Sequence, residues 1–172
     1  RMLPSNPYSA SKSGADLIAQ SYYKSFKLPL IIVRPNNIYG KRQNAEKIIP
    51  AIIRAVNGGK KLNIHGKGET SRFFLHTNDF CRALNLILEK GSDGDIFNVN
   101  GSYKIKIIEL INHAAEYKKI KINSFSEFIE DRPINDSLYT VDGSKIRSLG
   151  WTEREHFLNS FFNLIDEKSY IE

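Results

Sequence analysis

The chain of 172 residues holds one cysteine, Cys81, one tryptophan and six prolines. A lone cysteine excludes an intrachain disulfide scaffold and makes a reducing, cytoplasmic setting the default expectation. No apolar run approaches the ~20 residues of a membrane span. No basic stretch followed by an apolar core opens the sequence, so no membrane partner is expected. No repeat and no Pro/Gly/Ser-rich linker interrupts it, which excludes collagen and low-complexity arrays. The four histidines show no metal-ligand spacing, and no metal site is expected.

What remains is an ordinary packed composition. Hydrophobic residues make up 41% and charged residues 26%, too apolar for a disordered tail. Lys and Arg number 25 against 19 Asp and Glu, a net charge of +6. The basic residues lie in short scattered clusters: Lys60-Lys61, Lys104 with Lys106, and Lys118-Lys119 with Lys121. A nucleic-acid binder gathers its charge into one stripe, so no nucleic-acid partner is expected. Mild positive charge suits small anionic ligands such as phosphate esters.

Helix-period segments alternate with strand-like ones, which predicts an α/β class. Residues 8–26 read as a helix with Ala15, Ile18, Tyr22 and Phe26 on one apolar stripe that core packing explains. Pro29 ends it. The apolar run 30–33 suits a strand buried on both faces of a parallel sheet. Residues 46–57 form the next helix, with Ile48, Ile49, Ile52, Ile53 and Val56 inward and Gly58-Gly59 as its stop. Residues 62–65 and 72–76 read as strands around a Gly66/Gly68 turn. Asn78 and Asp79 are the expected caps of a helix running to Lys90. Segments 96–99 and 125–129 are extended, and 107–117, 144–149 and about 155–168 are helical.

The first chemical constellation is Tyr8 and Lys12. At i and i+4 near a helix start, a phenol and an ammonium share one face. The cation stabilises a phenolate, and a phenolate accepts a proton from a substrate hydroxyl. That suits alcohol oxidation by hydride transfer to a nicotinamide. Taken alone, a Y-x-x-x-K pair is common on surface helices.

Its surroundings add more. Asn6-Pro7-Tyr8-Ser9-Ala10-Ser11-Lys12 resembles the active-site helix of the extended short-chain dehydrogenase/reductase family. Arg34-Pro35-Asn36-Asn37-Ile38-Tyr39-Gly40 is similar to the family's substrate-contacting strand end, in its nucleotide-sugar 4,6-dehydratase branch. Ligands of open α/β sheets do bind outside strand carboxyl ends. Glu46-Lys47-Ile48-Ile49-Pro50 resembles that branch's helix start beside the nucleotide diphosphate. Asn63-Ile64-His65-Gly66-Lys67-Gly68 resembles the loop over the base. Arg72 stands where the branch has a diphosphate-binding arginine, and Phe97-Asn98-Val99 resembles a strand whose Asn lies by the substrate. Asp131-Arg132-Pro133-Ile134-Asn135-Asp136 resembles a D-R-P-x-[HN]-D segment, with Arg132 as a further phosphate ligand. Gly150-Trp151 matches an L-G-W that follows a short helix.

The resemblance implies a fold, an activity and a set of roles. The fold is the C-terminal part of a Rossmann-type NAD-binding domain plus a smaller α/β substrate domain. Residues 1–40 and 70–100 would end the Rossmann core, and 41–69 and 101–172 would form the substrate domain. The cofactor would be NAD, touched by Tyr8, Lys12, Pro35 and Ile38, with Tyr8 and Lys12 catalytic. A nucleotide sugar would be held by Asn37, Glu46, Lys47, Asn63, His65, Arg72, Asn98, Arg132 and Asn135. The activity would be dehydration of dTDP- or UDP-glucose to the 4-keto-6-deoxy sugar, in a homodimer, as in deoxysugar biosynthesis. Asn135 and His65 depart from many bacterial dTDP-glucose enzymes, and the choice of base stays open.

No G-x-x-G-x-x-G turn for the cofactor pyrophosphate occurs in the sequence, which opens on Arg1 in what reads as mid-domain. The expectation is a chain lacking the N-terminal half, with little catalysis of its own. A sister epimerase or decarboxylase, a non-catalytic nucleotide-sugar-binding remnant, and a plain α/β domain are the remaining readings. His76, His113 and His156 are expected to be structural or solvent-facing.

Overall fold

The computed structural model describes residues 4–131 and 141–167. Helix α1 (Pro7–Phe26) leads into β1 (Ile32–Pro35) and β2 (Asn37–Tyr39). Then come α2 (Ile48–Val56), β3 (Leu62–His65), β4 (Ser71–His76) and α3 (Thr77–Lys90). Strands β5 (Ile96–Val99) and β6 (Lys104–Lys106), helices α4 (Ile107–Lys118) and α5 (Ile122–Phe125), and strand β7 (Ser126–Ile129) follow. Helices α6 (Ser144–Ser148) and α7 (Phe157–Asp166) come last among the described elements. No described helix is long and apolar enough to cross a membrane.

The chain from β1 to β2 changes partners at Asn36. β1 runs parallel to β5, with Arg34 opposite Asn98. β2 runs parallel to β4, with Asn37 opposite Phe74. The Asn36 amide still donates to the Val99 carbonyl, which carries the ladder into the bend. β4 pairs antiparallel with β6, and β3 pairs parallel with β7. The short β2 and β6 carry no sequence signal of their own.

Two apolar clusters hold these elements. The larger gathers α2, α4, α7 and β3 around Ile52, Ile53, Leu110, Ile111 and Phe161. Helix α7 buries Phe157, Ser160, Phe161, Leu164 and Ile165, a stripe at helical spacing. The smaller joins α3, β5 and α6 through Ala83, Ile87, Phe97, Ile146 and Trp151. Each fully buried large side chain contributes about 1.5–3 kcal/mol by leaving water.

Four expectations need correction. The apolar stripe of α1 is not core: Ile18, Tyr22 and Phe26 are 60%, 50% and 74% exposed, and no α1 residue is buried. The strand after Pro29 starts at Ile32 and is half-buried, because it pairs with β5 alone among the described strands. Helix α2 begins at Ile48, since Lys47 keeps extended backbone as its N-cap. Helix α3 is capped by the His76 ring, whose Nδ1 accepts from the Asn78 amide.

Asp79 is instead buried in the first turn of α3. Its carboxylate accepts from the Arg154 and Glu155 amides at 2.9 and 3.0 Å and pairs with Arg82. Its carbonyl accepts from the Trp151 indole at 3.1 Å. A buried carboxylate is tolerated when it is paired in this way.

Candidate functional site

An open cleft of about 1360 Å³ lies between α1, the β1–β2 bend, the start of α2, and the β3–β4 connection. Tyr8, Lys12, Pro35, Asn37, Ile38, Glu46, Lys47, Asn63, His65 and Arg72 all line it. Residues 64 positions apart in sequence, Tyr8 and Arg72, thus face one space.

Local chemistry sets each wall. Helix α1 starts where Asn6 and Pro7 dictate. The Asn6 side chain accepts from the Ser9 amide at 2.9 Å, and the Ser9 hydroxyl accepts from the Asn6 amide at 3.1 Å. Pro7 occupies the first turn, where its missing N–H leaves nothing unbonded. This box places Tyr8 and Lys12 on the first two turns, both exposed, with Tyr8 at 73%. The Ser11 hydroxyl donates to the Tyr8 carbonyl.

At the strand end, Asn37 donates to the Phe73 carbonyl at 2.9 Å and ties β2 to β4. Gln43, which no motif pointed to, lines the cleft and donates to the Ile38 carbonyl at 2.8 Å. Glu46 and Lys47 are exposed, and the Lys47 amide closes a turn onto Asn44. Helix α2 has no side-chain cap, and its first residues Ile48 and Ile49 face the cleft. Strand β3 alternates buried Leu62 and Ile64 with outward Asn63 and His65. The His65 ring lies 3.3 Å from the Glu130 carbonyl. Arg72 donates to the Ser71 carbonyl at 2.9 Å.

Asn98 stands apart. It does not line the cleft, and its amide donates to the Asp142 carbonyl at 3.0 Å. Arg132 and Asn135 lie outside the described residues. Among the described residues no group of three or more His, Cys, Asp or Glu is placed to hold a metal. His76 stays structural: burial lowers its pKa, and it lies 3.9 Å from Glu155. Tyr39, from the same N-N-x-Y-G run as Asn37, is core, and burial raises its pKa.

One pair inside the cleft has no role in the motifs, although Arg34 opens the R-P-N-N run. Arg34 Nε donates to Asp16 Oδ2 at 2.6 Å, and Arg34 Nη2 donates to Asp16 Oδ1 at 2.9 Å. The guanidinium holds the Asp16 carboxyl below its ordinary range, and the pairing raises the guanidinium in turn. The cleft lining carries four cations, Lys12, Arg34, Lys47 and Arg72, against two carboxylates, Asp16 and Glu46. Such a lining attracts an anionic ligand.

Comparison with known proteins gives a consistent picture. The family model described as GDP-mannose 4,6 dehydratase matches residues 1–161. A dTDP-D-glucose 4,6-dehydratase of Dictyostelium discoideum is 38% identical over 181 residues, covering 86% of this chain and 42% of that protein. A trifunctional UDP-glucose 4,6-dehydratase/UDP-4-keto-6-deoxy-D-glucose 3,5-epimerase/UDP-4-keto-L-rhamnose-reductase of Arabidopsis thaliana is 37% identical over 157 residues. That match covers 91% of this chain and 24% of the plant protein. The crystal structure of a dTDP-glucose 4,6-dehydratase from Bacillus anthracis in complex with NAD superposes with a TM-score of 0.86 at 31% identity. It covers 95% of this chain and 52% of that one. The chain thus spans about half the length of these relatives or less.

Proposed function

The chain belongs to the GDP-mannose 4,6 dehydratase family, and from that premise we propose that it forms the substrate side of an NAD-dependent nucleotide-sugar 4,6-dehydratase. The substrate proposed is dTDP- or UDP-glucose, and the product its 4-keto-6-deoxy sugar. One observation carries this reading. A single cleft gathers a Tyr/Lys pair from α1, a strand end from β1–β2, and cationic and polar groups from α2, β3 and β4.

The residues fit part of NAD. Tyr8 and Lys12 offer a hydroxyl and an ammonium to the cleft that Pro35 and Ile38 also line. That donor set suits the nicotinamide and its ribose. No glycine-rich turn for the pyrophosphate occurs in the 172 residues. When bound, the cofactor supplies a reversible hydride acceptor. Tyr8, as phenolate, takes the proton of the sugar 4-hydroxyl, and the Lys12 ammonium stabilises that phenolate. The family assigns removal of the C5 proton to a carboxylate pair that precedes the tyrosine in its members. Lys47, Arg72 and the uncapped start of α2 hold the diphosphate. Arg132 and Asn135 are assigned to the same ligand by resemblance. Asn63 and His65 flank the base, and Asn37 and Glu46 the adjoining part of the substrate. Binding the unreactive nucleotide positions the sugar. The exposed stripe Ala15, Ile18, Tyr22 and Phe26 is assigned to a homodimer contact.

The test is Tyr8→Phe in an enzyme that carries these residues together with a cofactor-binding half. Turnover is expected to fall by about 10²–10⁴-fold while nucleotide-sugar binding persists. Unchanged turnover overturns the catalytic reading. Loss of nucleotide-sugar binding by the unsubstituted enzyme overturns the substrate assignment.

A further inference from the structure

We infer that Arg34 is a positioning residue for the Tyr8–Lys12 pair: its guanidinium holds the Asp16 carboxylate so that the Lys12 ammonium remains available to Tyr8. The inference rests on the proposed role of that pair.

Lys12 sits on the second turn of α1, midway between Tyr8 and Asp16. Tyr8 lies one turn before it and Asp16 one turn after. Both are at the four-residue spacing at which helix side chains meet. Side chains on a helix lean toward its N-terminus. That lean carries Lys12 toward Tyr8, and it carries Asp16 toward Lys12. An unoccupied Asp16 carboxylate therefore competes with the phenol for the same ammonium.

The structure shows that competition decided. Both Asp16 oxygens are taken: Oδ2 by Arg34, and Oδ1 by Arg34 and by Gln20 Nε2 at 2.6 Å. The Asp16 side chain is only 12% exposed. Lys12 makes no ion pair among the described residues. The fork is two-point, the geometry in which arginine binds carboxylate best and which lysine cannot copy.

The anchor has a second effect. Among the described residues, Arg34–Asp16 is the one ion pair that joins α1 to the rest of the chain. The Tyr23 ring, packed over Gly94, holds the far end. Arg34 directly precedes Pro35 at the cleft. The residue that neutralises Asp16 therefore also sets α1 against the strand end facing it.

The test reads Lys12 directly in the 172-residue chain. Trace acetylation by acetic anhydride, followed by peptide mass spectrometry, measures the rate at Lys12 relative to Lys24 on the same helix. Arg34→Met is expected to slow Lys12 labelling by up to about twofold as the ammonium pairs with Asp16. Asp16→Asn alone leaves the ratio at the wild-type value. The double variant restores it, and Arg34→Lys restores it in part. An unchanged ratio in Arg34→Met with α1 still helical overturns the inference. So does a double variant that stays slow, because geometry and not charge would then be at work. If Arg34→Met melts α1, Asp16→Asn decides: a slowed Lys12 in that variant overturns the inference, and an unchanged one supports it. None of these readouts needs substrate, so failure of the dehydratase reading would show separately, in the Tyr8→Phe experiment.

Discussion

Helices α1 and α2 reach the same secondary structure by opposite routes. α1 spans 20 residues and buries none of them. α2 spans 9 and buries six. α1 carries its instructions locally: a reciprocal Asn6–Ser9 box, Pro7 in the first turn, and Lys27 in the left-handed conformation at its end. α2 has no side-chain cap, a proline at its third position, and runs of Ile and Val that compete poorly for helix on propensity alone. Tertiary burial against α4 and α7 makes it helical. The helix that bears the candidate chemistry is therefore the one that depends least on the core.

That contrast can be broken at three levels of effect. The largest comes from the core. Phe161 is fully buried, and Phe161→Ala should cost about 3–5 kcal/mol in urea unfolding. Phe26→Ala, on the exposed stripe, should cost under about 0.5 kcal/mol when measured on the monomer. Equal costs would mean that α1 is covered in solution. The intermediate effect is local. Asn6→Ala removes the reciprocal box and should cost about 1 kcal/mol. The loss should appear as faster amide exchange in residues 8–12, with α7 unchanged. The smallest is electrostatic. Arg34 lowers the Asp16 carboxyl on folding, so this pair contributes stability above the carboxyl's unfolded value of about 3.9. It loses that contribution as pH falls through the lowered folded value. Arg34 is partly exposed, and the effect stays below about 1 kcal/mol. Protection of the α1 amides, corrected for intrinsic exchange, should fall as pH drops below about 4 in the native protein and lose that dependence in Asp16→Asn.

Much of this was legible from residues alone. The apolar spacing of Phe157, Phe161, Leu164 and Ile165 marked α7, and the Asn6–Lys12 run marked both a helix start and a reactive pair. What stayed hidden was pairing across distance. Nothing near Leu62 announces that β3 runs parallel to Ser126–Ile129. Asp79 reads as a cap from its neighbours, yet residues 154 and 155 claim its carboxylate. The motifs also gave identities without directions: Asn98 turns to Asp142, while Gln43 and Arg34 entered the cleft wall from outside any role assigned to them. The exposed face of α1 was misread because an amphipathic stripe states only that something apolar covers it.

The Asp79 anchor has a consequence for when the chain can fold. Its carboxylate closes on amides 75 and 76 residues further along, and its carbonyl on an indole 72 residues away. Closing loops of that length is slow, because their entropy is lost before any contact is gained. During synthesis, α3 emerges long before Trp151, Arg154 and Glu155. Until they arrive, seating Asp79 would bury a carboxylate paired with Arg82 alone. The α3–β5–α6 cluster is therefore a late event on the ribosome, completed only when residues near 155 have cleared the exit tunnel.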